Sequence, residues 1–179
     1  MALFVRTSVI ALACLPTLIL AAGDESTAPV ETPTSTECTG AQIYDPATKT
    51  CVDSQESHLD DATRIKAARE LAAFDRPRDA LAVLDHVAQA DTPEVLTLRG
   101  FATRKAGDFD GGRALYEAAL SLDPDYALAR SYLGQALAER GDTVGARQQL
   151  ALIRQAGGRG TWAERSLASS VETGHGFSW

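Results

Sequence analysis

From Ser57 onward the apolar positions recur at helical spacing. Ile65, Ala68, Leu71 and Ala72 form one stripe, and Ala80, Leu81, Leu84 and Val87 form the next. Leu96 and Leu98 follow, then Leu115, Tyr116, Ala119, Leu120 and Leu122, and finally Leu133, Leu137, Ala146, Leu150 and Ile153. Such stripes predict amphipathic helices that each bury one face. The breaks between them carry turn chemistry. Ser57 and Asp60 are placed to cap the first helix, Pro77 opens the second, and Gly107-Asp108 and Gly141-Asp142 separate later pairs. Asp123-Pro124 closes a unit, with the aspartate placed to cap the next helix and the proline suited to its first turn.

The later helices repeat. With the chain displaced by 34 residues, Gly100, Ala102, Gly107, Asp108, Gly111 and Arg113 fall on Gly134, Ala136, Gly141, Asp142, Gly145 and Arg147. A fixed period of this size indicates stacked supersecondary units. The small residues Gly100, Gly134, Ala119 and Ala146 mark helix crossings into which Tyr116 or Leu150 packs. With Gly100, Gly107, Phe109, Tyr116, Ala119, Leu120 and Pro124 at these places, the chain resembles tetratricopeptide repeat proteins. It departs from that pattern at Gly112, where the family carries alanine, and at Gly158, where it carries proline. The pair beginning at Ser57 resembles a diverged, slightly shorter unit. The expected fold is therefore all-α: a solenoid over 57–174 with three repeats and a capping helix at 161–173. Thr161-Trp162-Ala163-Glu164 reads as the capping box of that last helix, and Trp162, Leu167 and Val171 cover the end of the stack.

The first part of the chain is different. Residues 1–23 hold Arg6, an apolar run from Val9 to Ala22 and then small residues, which reads as a signal peptide. The run is shorter than the about 20 apolar residues needed to cross a bilayer. A periplasmic or secreted mature chain with no integral membrane segment is expected. Cys14 opens a competing reading, lipid anchoring. Against it stand Ala11, where bacterial lipoprotein signals place leucine, and the greasy Leu15 to Ala22 terminus that cleavage there would leave. Residues 24–37, rich in Ser, Thr, Pro and acid, read as a disordered linker.

Cys38 and Cys51 remain in the mature chain, an even number in an exported protein, and predict a disulfide. The stretch 38–53 has turn residues at Asp45 to Thr48, with Ile43 and Tyr44 on one arm and Thr50 and Val52 on the other, so it reads as a small closed hairpin. It resembles cysteine-bridged hairpins of extracytoplasmic proteins, some of which bind polysaccharide. That resemblance implies an alternative function, envelope attachment through a glycan with the solenoid as spacer. The residues themselves read as a structural staple.

Chemistry changes the picture little. His58, His86 and His175 are far apart, the paired cysteines offer no nucleophile, and Gly157 to Gly160 lack the lysine and hydroxyl of a phosphate loop. No catalytic, cofactor or metal site is expected, and the chain does not read as an enzyme. The formal net charge of -7 repels nucleic acid.

What remains is a surface. The resemblance implies a concave groove lined by first helices, with Arg69, Thr97, Phe101, Arg104, Lys105, Leu128, Ser131, Gln135 and Glu139 facing it. Phe101 beside Arg104 and Lys105 suits an apolar peptide side chain next to a carboxylate; shared core between adjacent units is the competing role for Phe101. The expected function is an extracytoplasmic scaffold or adaptor that binds a protein or peptide in envelope assembly or secretion. Self-association through the same face is a third reading, with a monomer the expected state. The aromatic tail 175–179 docks on the helices or serves as a recognition tag.

Overall fold

The computed structural model describes residues 27–176. The signal-peptide stretch, Cys14 and residues 177–179 of the tail lie outside the described residues. The chain runs α1 (Pro33–Thr36), β1 (Gln42–Asp45), β2 (Thr50–Asp53), α2 (Asp61–Ala73), α3 (Pro77–Leu84), α4 (Pro93–Lys105), α5 (Phe109–Leu122), α6 (Ala127–Glu139), α7 (Thr143–Gln155) and α8 (Trp162–Thr173). Helices α2 to α7 form three antiparallel pairs, and α8 packs on α6 and α7.

Local chemistry sets most of the boundaries. Asp60, Thr92, Asp108, Asp142 and Thr161 each accept a backbone N–H in the first turn of the helix that follows. Pro77 and Pro93 stand at first helical positions, where the missing N–H costs nothing. Asp123 does not cap α6. That helix starts at Ala127 with Tyr126 before it and no side-chain cap, while the Asp123 carboxylate accepts from the Asp125 N–H at 3.0 Å. The aspartate makes its own turn, which a Pro124-Asp125 sequence favours over a direct helix start.

Close approach explains the glycines. A Cβ on Gly100 would lie 2.7 Å from the Tyr116 ring and 2.9 Å from the Gly112 carbonyl oxygen, and one on Gly112 would lie 2.7 Å from the Gly100 carbonyl oxygen. Gly112, one of the two departures from the repeat pattern, is thus the second half of a backbone-to-backbone crossing between α4 and α5. Gly134 does a different job from the one expected. Its space is filled by Leu167 of α8, 2.6 Å from a Cβ there, with Gln149 of α7 behind.

One core runs the length of the stack, from Ile43 of the hairpin through Leu71, Val83, Leu98, Phe101 and Tyr132 to Trp162 of α8. A smaller cluster of Leu150, Ile153 and Leu167 closes the end, with Ala168 and Val171 packed against it. The β-hairpin is antiparallel, with Ile43 opposite Val52 and Tyr44 opposite Cys51, and the Cys38–Cys51 disulfide ties it shut.

The linker expected to be disordered is ordered in its second half. Thr32 caps the short α1, and the carboxylate of Glu70, only 4% exposed, accepts from the Thr32 N–H at 2.7 Å and the Ser35 N–H at 3.1 Å. At the other end of that turn, the Arg76 guanidinium donates to the carbonyls of Thr34, Ser35, Cys38 and Gly40. Arg64 holds the segment after the hairpin in the same way, through the carbonyls of Ser54, Glu56 and Leu59. Three charged side chains of the first pair therefore satisfy the backbone of a polar segment that has few apolar groups of its own. The disulfide module and α1 form the first end of the solenoid, and α8 forms the other.

Candidate functional site

The first helices α2, α4 and α6 carry the expected partner-binding face, and packing, including that of α8 on α6, fills most of it. Phe101 is 3% exposed and stacks on Tyr132 of the next pair, ring centroids 4.4 Å apart. Thr97 and Leu128 are buried, and the Thr97 hydroxyl is spent on the Pro93 carbonyl. Ser131 and Gln135 are buried between α6 and α8, where they share the Ser166 hydroxyl. These five residues are joints between neighbouring helices and do not line an open groove. The reason is geometric: adjacent first helices lie in direct contact, so the side of α4 facing away from α5 meets α6.

Lys105 stays nearer the surface than Arg104, and all three cations are engaged. Arg104 bridges the Glu139 carboxylate on α6 and the Tyr116 hydroxyl, and with Lys105 it flanks the Phe101 ring. Burial raises the Tyr116 phenol well above its ordinary value, with Arg104 opposing the shift, so the phenol stays protonated and accepts from the guanidinium. Lys105 pairs with Asp75, and Arg69 donates to the Thr27 carbonyl. Both described ends of the chain approach this face. The segment at Thr27 crosses α2, and Gly176 lies so close to Glu139 that a Cβ there would collide with the carboxylate.

An open recess lies elsewhere. A cleft of about 610 Å³ runs along the outer side of α7, lined by Arg147, Leu150, Ala151, Arg154, Gln155 and Arg159. Arg147, Leu150, Ala151 and Arg154 sit at i, i+3, i+4 and i+7, so one helical face supplies an apolar floor with a cation at each end. Arg154 is committed to Glu164 of α8 at 2.8 Å. That hydrogen bond holds the Glu164 carboxyl below its ordinary value against the opposing effect of burial, with the Gly160 N–H and the nearby Arg159 helping. Arg147 and Arg159 are exposed and enter no ion pair among the described residues. Val144, 75% exposed, extends the same side of α7 toward its N-terminus. The spacing of these arginines was visible in the sequence, but nothing there told which side of α7 the stack leaves open.

The repeat geometry and a sequence comparison agree. Residues 104–160 match the tetratricopeptide repeat family model. The match runs from the end of α4 to the loop after α7, so a tetratricopeptide-type region is present within the stack of antiparallel pairs. Among curated proteins and among solved structures, none matches the chain. Repeats of this type are non-catalytic scaffolds, in line with the sequence-based reading that the chain is not an enzyme. Among the described residues, no helix is long and apolar enough to cross a membrane, and no group of three or more His, Cys, Asp or Glu is placed to hold a metal ion.

Proposed function

We propose that this chain is an exported scaffold that binds a protein partner, acting in envelope assembly or secretion. The observation that carries the reading is the architecture: stacked helix pairs of tetratricopeptide type, closed at both ends by dedicated elements. Such a stack presents long helical surfaces and no reactive centre, and it recognises other chains by shape and charge. Export is supported by the apolar run from Val9 to Ala22 in the sequence and by the Cys38–Cys51 disulfide, which persists in an oxidising compartment. The hairpin and the segments on either side of it are bound into the solenoid through Ile43, Arg64, Glu70 and Arg76, which suits an end cap better than a separate glycan-binding module.

Chemical crosslinking of the full chain in its native envelope fraction tests the reading. A protein recovered above the level seen with an unrelated exported bait supports the scaffold role. Recovery at the level of that control contradicts it. Thiol trapping in intact cells tests the compartment: Cys38 and Cys51 resist alkylation in an exported chain and react in a cytoplasmic one.

A further inference from the structure

Helix α8 is built as the first helix of a fourth pair. The position of Gly100 and Gly134 recurs at Ala168, Leu133 recurs at Leu167, and Leu137 recurs at Val171, each displaced by the same 34 residues. In the second pair, the crossing position Gly100 is buried against its partner helix through Tyr116 and Gly112. Ala168 and Val171 of α8 are half-buried and pack against the cluster of Leu150, Ile153 and Leu167. The arginine cleft runs along the outer side of α7 and meets this cluster at Leu150.

Resting on the scaffold reading above, we infer that the arginine cleft of α7 is a docking site for an acidic amphipathic helix of a partner protein. The incoming helix sets small and aliphatic side chains on Leu150 and Ala151, and sets Asp or Glu against Arg147 and Arg159. Charge complementarity selects this occupant. The chain carries 24 acidic and 17 basic residues, yet three arginines gather on this one cleft, and two of them have no ion-pair partner among the described residues. A basic helix would meet those guanidinium groups with like charge; an acidic one is steered and held by them.

The probe is a synthetic amphipathic peptide as long as α7, with leucine and alanine on one face and glutamate on its flanks. A second peptide replaces each glutamate by lysine. Fluorescence anisotropy is measured with the full chain, with R147E/R159E, and with Arg113→Glu, which alters the equivalent exposed position of α5. Arg147 and Arg159 are solvent-facing, and circular dichroism confirms that each variant keeps its fold. The expected result is binding of the acidic peptide alone, weakened at least about tenfold by R147E/R159E and left intact by Arg113→Glu. No binding of the acidic peptide, or equal weakening by both variants, overturns the site. A wild-type dimer that R147E/R159E abolishes also overturns it, by making a second copy the occupant. The crosslinking experiment keeps the two readings apart. A partner captured equally by wild type and R147E/R159E removes this site and leaves the scaffold role, whereas no partner for either removes the scaffold role.

Discussion

Phe101 and Tyr132 lie ring on ring, 4.4 Å between centroids and 14° between planes, although they belong to different helix pairs. Tyr116 adds a tilted contact to Tyr132 at 6.2 Å. This aromatic cluster joins the second pair to the third, so stacking and burial act at a repeat interface and not at a ligand surface. Phe101→Ala should lower unfolding stability by about 3 to 5 kcal/mol, because the cavity opens between helices that cannot collapse onto it. Chemical denaturation measures the loss. A double cycle with Tyr132→Ala should show coupling between the two, and a variant of wild-type stability would place Phe101 outside the core.

The N-terminal cap should come loose by electrostatics alone. Glu70→Ala removes the acceptor of the Thr32 and Ser35 N–H groups, and Arg76→Ala frees the carbonyls at the other end of α1. Each should cost about 1.5 to 3 kcal/mol, the range for hydrogen bonds to charged groups. Opening the Cys38–Cys51 link should cost about 3 kcal/mol in the chain-entropy model for a loop of that size. Hydrogen exchange checks the location: protection should fall first at residues 32–53 while α6 and α7 stay protected. Uniform loss of protection would mean that the cap and the stack open together.

Two glycines that look equivalent in the repeat should respond differently. Gly100→Ala pushes a methyl group against the Gly112 backbone carbonyl, whereas Gly134→Ala meets the end of the Leu167 side chain, which turns aside more cheaply. Gly100→Ala should therefore fall in or above the range of about 1 to 3 kcal/mol typical of overpacking. Gly134→Ala should cost less, because the Leu167 side chain yields where a backbone carbonyl does not; the helix-propensity gain of up to about 1 kcal/mol is common to both variants. Thermal melts of the two variants give the order, and the reverse order would contradict the close crossing of α4 and α5.

Two carboxylates should impose opposite pH dependences. The Arg154 hydrogen bond lowers the folded-state pKa of Glu164, so its contribution is present above the unfolded carboxyl value of about 4.3 and is lost as pH falls through the folded value. Burial raises that of Glu94, with Arg69 opposing, so its charged form costs stability that appears as pH rises through the raised value. Glu164→Gln should then be less stable than wild type at neutral pH and match it in acid. Glu94→Gln should be more stable at neutral pH and lose that advantage in acid. Melting curves from pH 7 down to about 3 check both signs.

Much of this architecture was legible in the residues. Periodicity and the 34-residue repeat located α4 to α7, the two cysteines and the Asp45 to Thr48 turn located the hairpin, and Thr161 with Glu164 located the start of α8. For Phe101 the shared-core role was one of two readings open in the sequence and is the one the structure shows. The burial of Ser131 and Gln135 was not legible, because which side of a first helix is covered depends on how tightly the next pair stacks. The ordering of α1 was hidden for a related reason. Its partners, Glu70 and Arg76, look in sequence like ordinary solvated helix charges, and only the fold turns them inward onto a polar segment. The cleft on α7 follows the same logic in reverse: its residues show helical spacing, but which side of α7 stays open depends on how α6 and α8 pack against it.

Chemical-shift mapping of the isotope-labelled full chain, titrated with the acidic helical peptide, locates the binding surface most directly. Amide shifts confined to Val144 through Gln155, Gly157 through Gly160 and the exposed side of α8 are expected. Shifts centred instead on Arg69, Arg104 and Lys105 would return the site to the row of first helices and contradict the closed face described here.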